Sequence, residues 1–273
     1  VLMDVNGIQL NVEMEGEGPP LLLLHGFTGS IQSWRRILPA LRNRYKVVLV
    51  DMIGHGLSES PVDFRRYSME HAVEDLLQLL AQLGLPKVNL LGYSMGGRCA
   101  LQFAVQAPER VHTLILESSS PGIAAEPERE ARRRSDEALA GFIIEQGVAA
   151  FVDRWTSLAL FATQQALPDF IKNEVRCQRL QNQAQGLANS LRGMGTGVQP
   201  SWWGRLQEIR VPTLLLVGEH DAKFRRIGLS MEKIIPGSTL QIIPSAGHTV
   251  HLEQPAVFTA AVMDFLSLHN PHS

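Results

Sequence analysis

Two rhythms of apolar residues alternate along the chain. Short, nearly continuous apolar runs stand at Leu21–Leu24, Val47–Val50, from Val88 into Ser94, at 112–117, Thr213–Val217 and Thr239–Ile243. Runs of this length and continuity read as strands buried on both faces of a sheet. Between them, apolar residues recur at helical spacing. Trp34, Ile37, Leu38 and Leu41 predict a helix over 32–43, and Ala72, Leu76, Leu79, Leu80 and Leu83 another over 69–83. Residues 95–106 and Pro255–Leu268 complete the set. Residues 1–14 read as a β-hairpin turning at Asn6-Gly7, and Gly16, Gly18, Pro19 and Pro20 then break the chain. Strands that alternate with helices imply an α/β fold, a mostly parallel central sheet flanked by helices and joined by right-handed crossovers.

The alternation stops at Ser118–Ser120 and resumes at Val211. The interval has no convincing strand. It carries a charged run over Glu126–Glu137 and apolar faces at Leu139, Phe142, Ile143, Phe151 and Trp155. It therefore reads as a helical cap, 120–205, inserted into a core made of 1–119 and 206–273. An insertion after one strand and before the next lies over the carboxyl ends of the strands, where open α/β sheets bind ligands.

Composition narrows the partners. The 273 residues carry a net charge of −2, with 45% apolar and 19% charged residues. The sequence pI is about 6.5. Neither nucleic acid nor an anionic membrane surface is attracted to such a chain as a whole. No apolar stretch is long enough for a transmembrane helix, and the N-terminus lacks a basic region followed by an apolar one. A chain that starts at Val1 is compatible with a removed leader. Cys99 and Cys177 are far apart and form no C-x-x-C, which suits a reduced cytoplasmic compartment. No His/Asp/Glu cluster has metal-ligand spacing, and no glycine-rich loop fits a phosphate or dinucleotide. No metal and no cofactor are expected.

The sharpest chemical signal is Gly92-Tyr93-Ser94-Met95-Gly96, a G-x-S-x-G between a strand and a helix. Glycines at both ends let strand and helix crowd together, so the serine stands on a tight turn at the helix N-terminus. A serine hydroxyl is a weak nucleophile and a weak base. It needs a histidine to take its proton and a carboxylate to orient that histidine. Asp221 follows the strand Thr213–Val217, with Glu219 as the close competitor; His248 follows the last strand. His220 stands too close to Asp221 to serve, and His251 is expected to face elsewhere. Two backbone N–H groups, of Met95 and of Phe27 in His25-Gly26-Phe27, are placed to form an oxyanion hole. His25 and His55 read as structural, and His71, His112, His269 and His272 as surface residues.

Arg98 lies one helical turn after Ser94 in an otherwise apolar helix. A buried arginine needs an anion, either a protein carboxylate such as Glu117 or a ligand. The cap adds Arg129, Arg132, Arg133, Arg134, Arg176 and Arg179. One or two of these facing inward would suit bidentate carboxylate binding. Trp155 and Phe161 read as cap core, with Trp155 able to serve also as a substrate platform.

Several longer motifs carry a resemblance. They are Gly92-Tyr-Ser-Met-Gly-Gly-Arg98, Ser120-Pro-Gly122, Glu128-Arg129-x-x-Arg132, Gly186-Leu-Ala-Asn-Ser-Leu191, Gly193-Met-Gly-Thr-Gly-x-Gln-Pro200, Gly218-Glu-x-Asp-x-Lys-Phe224 and Ala246-Gly-His-Thr-Val-His251. Together they resemble the 2-succinyl-6-hydroxy-2,4-cyclohexadiene-1-carboxylate synthases, enzymes of menaquinone biosynthesis built on the α/β-hydrolase fold. The resemblance spans nearly the whole chain. It implies a lyase that eliminates pyruvate from a small polycarboxylate substrate without metal or organic cofactor. It places the triad on Ser94, Asp221 and His248, and the anion-binding arginines on Arg98, Arg132 and Arg179. The pocket aromatics fall on Tyr93 and Trp155. Arg129 is an alternative to Arg132, and Arg176 to Arg179; the role of Lys223 stays open. Two other readings remain: a serine hydrolase working through an acyl-enzyme, and a ligand sensor without catalysis.

Overall fold

The computed structural model describes residues 1–269; His272 lies outside them. Eight strands form one sheet: β1 (Leu2–Val5), β2 (Ile8–Glu15), β3 (Pro20–Leu24), β4 (Lys46–Val50), β5 (Val88–Tyr93), β6 (Val111–Glu117), β7 (Thr213–Gly218) and β8 (Thr239–Ile243). Their order is β1-β2-β4-β3-β5-β6-β7-β8. The hairpin β1–β2 and the β2–β4 pairing are antiparallel; β4 through β8 pair in parallel. Asn6 and Gly7 both take positive φ, as a two-residue hairpin turn of this hand requires.

Helices α1 (Leu38–Leu41), α2 (Met69–Gln82), α3 (Met95–Gln106), α7 (Ala222–Glu232), α8 (Val250–Glu253) and α9 (Pro255–His269) belong with the sheet. Helices α4 (Glu126–Thr156), α5 (Asp169–Leu180) and α6 (Ala184–Met194) lie between β6 and β7. The fold is that of the α/β hydrolases, with α4–α6 as a helical insertion. The helix expected over 32–43 is instead a 3-10 turn, Ile31–Trp34, followed by the single turn of α1. Pro39 explains the break: it has no N–H to bond the preceding turn, and it sits in the first turn of α1, where none is needed.

The sheet separates two apolar layers. Leu22, Leu24 and Leu90 face α2 and α3 on one side. Leu21, Leu23 and Leu91 face α9 on the other. In α3, Met95, Gly96, Gly97 and 99–105 are all buried. The insertion has its own core, built on Ala140, Ile143, Phe151, Leu187 and Leu191, with Phe27 of the sheet side packed against it. That contact seats the inserted helices over the end of β3 and the start of α3, where the site lies.

Candidate active site

Strand β5 runs into α3 through a turn that only a crowded backbone can make. A Cβ on Gly92 would meet the Gly96 carbonyl, and one on Gly96 would meet the Leu24 carbonyl. Ser94 sits at φ 50° and ψ −106°, a conformation that costs a non-glycine residue about 1–3 kcal/mol. The surroundings hold it there: the Ser94 N–H donates to the Glu117 carbonyl at 2.9 Å, and the Arg98 N–H to the Ser94 carbonyl at 3.0 Å.

The turn delivers Ser94 Oγ to 3.1 Å from His248 Nε2. Behind it, His248 Nδ1 donates to Asp221 Oδ2 at 2.6 Å. Asp221 is buried at the start of α7, and its other oxygen accepts the Phe224 N–H at 3.2 Å. Glu219 is engaged elsewhere, accepting the Ser245 N–H at 3.0 Å. His220 is exposed. A carboxylate, an imidazole and a hydroxyl thus form one hydrogen-bonded line, suited to drawing the serine proton toward His248.

The N–H groups of Phe27 and Met95 have no acceptor among the described residues. Both residues line the cavity that holds Ser94. Two free donors beside one hydroxyl can take up negative charge on a ligand oxygen.

The other buried histidines have local roles. His25 Nδ1 donates to the Gly26 carbonyl, and its Nε2 accepts the Met52 N–H at 2.9 Å. Burial beside His25 pushes His55 down to about 3. His251 lines an adjoining cavity and donates through Nδ1 to Glu117 at 2.7 Å. His71 is exposed but caps the start of α2 with Ser68, and His269 packs on Phe265.

The cavity around Ser94 measures about 470 Å³. Tyr93, Arg98, Arg132 and Trp155 line it, together with Arg154 and Lys223. Arg98 has no carboxylate within 4.0 Å among the described residues; it donates to the Met194 carbonyl at 2.8 Å and to Gln199 Oε1. Glu117 is committed to His251, so Arg98 is no core ion pair with it. Burial, then repulsion from Arg132, lowers Arg98 to about 10. Arg132 donates through Nε to Asp136 Oδ1 at 2.8 Å. Burial raises the Asp136 carboxyl and lowers the Lys223 ammonium. Trp155 stacks edge-on against Phe27 with centroids 5.3 Å apart.

The remaining cap arginines part company. Arg129 bonds the Gln199 carbonyl and Glu126, and Arg133 and Arg134 pair with Glu130. Arg176 is an exposed partner of Asp153. Arg179 is buried but lines an adjoining cavity of about 620 Å³, not the one that holds Ser94. It donates to Thr156 Oγ1 at 3.1 Å and lies over the Phe161 ring. Phe27, Tyr93 and Phe161 are common to both cavities. Arg179 thus stands in the cavity that adjoins the Ser94 cavity, with Phe161, which lines both, beneath its guanidinium. Sequence reasoning missed Asp136, though its place four residues after Arg132 on a helix was a usable signal. It also missed Arg154, which the folding of the inserted helices brings to the cavity, and gave no role to Phe224, which α7 places there.

Comparison with known proteins agrees with this geometry. Residues 19–255 match the family described as the alpha/beta hydrolase fold. A protein of Bacillus subtilis (strain 168) named for 2-succinyl-6-hydroxy-2,4-cyclohexadiene-1-carboxylate synthase activity is 46% identical over 264 residues, 96% of each chain. The structure of MenH from S. aureus superposes with a TM-score of 0.91 at 36% identity, covering 95% of this chain and 98% of that one. A thermophilic esterase from Thermogutta terrifontis gives a TM-score of 0.83 at 28% identity, with 98% of each chain covered.

Proposed function

The chain belongs to the α/β-hydrolase-fold 2-succinyl-6-hydroxy-2,4-cyclohexadiene-1-carboxylate synthases, the pyruvate-eliminating lyases of menaquinone biosynthesis, and from that premise we propose that Ser94 works as a base. The substrate, 2-succinyl-5-enolpyruvyl-6-hydroxy-3-cyclohexene-1-carboxylate, loses a proton from C2 and the enolpyruvyl oxygen from C5. The ring double bond moves from C3–C4 to C2–C3, and a second forms at C4–C5. Ser94 Oγ takes the C2 proton as its own passes to His248, whose ring Asp221 orients. Negative charge grows on the succinyl carbonyl next to C2, and the Phe27 and Met95 N–H groups receive it. The departing enolpyruvate takes a proton back from the pair and leaves as pyruvate.

Arg98 and Arg132 hold substrate carboxylates, while Tyr93 and Trp155 pack against the ring. The inserted helices, 120–205, act as a cap on the 1–119 and 206–273 core. The reaction uses no metal or cofactor. The substrate is a small polycarboxylate, and the enzyme works in the cytoplasm without inserting into a membrane. The observation that carries this reading is Arg98: a cation with no carboxylate partner among the described residues, in one cavity with a serine already bonded to histidine. Such a cation favours an anionic ligand, and a fixed ligand geometry is what elimination needs.

An assay of pyruvate release tests it, with Ser94→Ala and His248→Ala beside the wild type. Loss of at least about a hundredfold in kcat is expected for each. The second reading, an esterase passing through an acyl-enzyme, draws on the same free N–H pair and on the likeness to the Thermogutta enzyme. It predicts burst release and sustained turnover with p-nitrophenyl acetate; the lyase reading predicts a negligible rate.

A further inference from the structure

Three residues of the cap segment Ala159–Ala166 touch the loop that carries His248. Phe161 sets its ring edge-on to His248, with centroids 6.1 Å apart. Thr163 occupies the space that a Cβ on Gly247 would take. Gln164 Nε2 donates to Thr249 Oγ1 at 2.9 Å. The same Thr249 oxygen lies 2.7 Å from the Tyr93 hydroxyl. Gln164, Thr249 and Tyr93 are all buried.

Donor counting shows what this hydroxyl does. An amide nitrogen only donates, so Thr249 Oγ1 must accept from Gln164. Its own proton and second lone pair remain for Tyr93, and the three groups satisfy one another. Removing the Thr249 hydroxyl would leave two buried polar groups without partners. From the core side, Glu253 already grips the loop: its carboxylate accepts the Gly247 N–H at 2.7 Å and the Thr249 N–H at 3.1 Å. The Thr249 side chain is the part left for the cap to reach.

Tyr93 passes the constraint on. Its ring lies 5.5 Å from His248 and 4.9 Å from His251 between centroids. It also fills the space beside Gly26, next to the Phe27 N–H. One plate therefore separates the histidine loop from the Phe27 loop, and its hydroxyl is tied to Thr249.

We propose that Gln164 and Thr249 are positioning residues: their hydrogen bond seats the cap segment on the His248 loop and, through Tyr93, steadies the Ser94 turn. Docking of the cap and alignment of Ser94 with His248 are then one event. The inference rests on the reading of His248 as part of the catalytic machinery.

Gln164→Leu, Thr249→Val, Thr249→Ser and the Gln164→Leu/Thr249→Val pair test it. Steady-state pyruvate release is the first readout; the far-downfield proton NMR signal of His248 Nδ1–H, bonded to Asp221, is the second. Gln164→Leu should lower kcat about tenfold, the kinetic equivalent of one lost buried hydrogen bond, and Thr249→Val, which also frees the Tyr93 hydroxyl, by at least as much, with a smaller change in KM in both. The signal should broaden or shift in both. Thr249→Ser, which keeps the hydroxyl, should restore near wild-type turnover. The double variant should be no worse than Thr249→Val alone, because Thr249→Val already breaks the bond that Gln164→Leu removes. Wild-type kcat in Gln164→Leu, or a double variant that multiplies the two single losses, would overturn the proposal. If Thr249→Val does not fold, Gln164→Leu and Thr249→Ser decide the matter. Full activity in His248→Ala would instead sink the underlying reading of the site, whatever Gln164 does.

Discussion

Arg98 concentrates the electrostatic question at the scale of single residues. It gives its hydrogen bonds to a carbonyl and an amide, neither of which cancels its charge. Burial beside Arg132 depresses it to about 10, still far enough above neutrality to keep the guanidinium charged. Arg98→Ala should raise KM and lower kcat/KM at least about tenfold for the anionic substrate, while the melting temperature stays close to wild type. Wild-type kinetics would remove Arg98 from substrate binding. His55 makes a different prediction. Its ring is neutral in the folded chain, with a value near 3 against 6.5 when unfolded. The unfolded state therefore binds the proton first, and stability falls as pH drops below about 6.5 toward 3. Between pH 6.5 and 5 this one ring accounts for about 2 kcal/mol of lost stability. Urea unfolding of wild type and His55→Gln at the two pH values checks it: the variant's loss should be smaller by that amount, and equal losses would refute it.

Two elements shape the site through their backbones. The turn from β5 to α3 places the serine only because Gly92 and Gly96 leave room for each other and for β3. Helix α4 is interrupted at Gly147, at φ 80° and ψ 170°, a region almost closed to other residues. Beyond the break, the helix turns Phe151 into the cap core and Trp155 onto the cavity. Gly147→Ala should cost about 1–3 kcal/mol of stability, because alanine cannot hold that conformation without strain. Cap packing should loosen with it, so kcat/KM should fall together with the melting temperature. A variant as stable and as active as wild type would show that the break is not needed. This kink was not legible in the sequence, since Gly147 sits among residues that suit either a continuous or a broken helix. Pro39, in contrast, is a chain breaker visible in the sequence, inside the span whose apolar spacing predicts one helix over 32–43.

A chain with little net charge encloses a cationic cavity. Net charge is only −2, while Arg98, Arg132, Arg154 and Lys223 line one cavity of about 470 Å³. Attraction of a polycarboxylate is therefore local and subject to screening. Raising ionic strength from about 0.02 to 0.5 M should lower wild-type kcat/KM several-fold, mainly through KM. The same change should leave an Arg98→Ala/Arg132→Ala variant nearly flat. A salt response equal in both proteins would place the attraction elsewhere.

The alternation of strands and helices, the helical insertion before β7, and the three strand ends that carry Ser94, Asp221 and His248 were all legible in the chain. These are local matters: period, chain breakers and the residue just past a strand decide them. Even the choice between Asp221 and Glu219 needed distance. Only the tertiary structure decided that Asp221 bonds His248 while Glu219 bonds Ser245. It alone took Glu117 away from Arg98 and put Arg179 in the cavity that adjoins the one holding Ser94. The reason is physical. Periodicity reports which face of an element is apolar. Whether a charged or polar group finds a protein partner or meets a cavity depends on side chains distant in the chain, which packing alone brings within hydrogen-bond range.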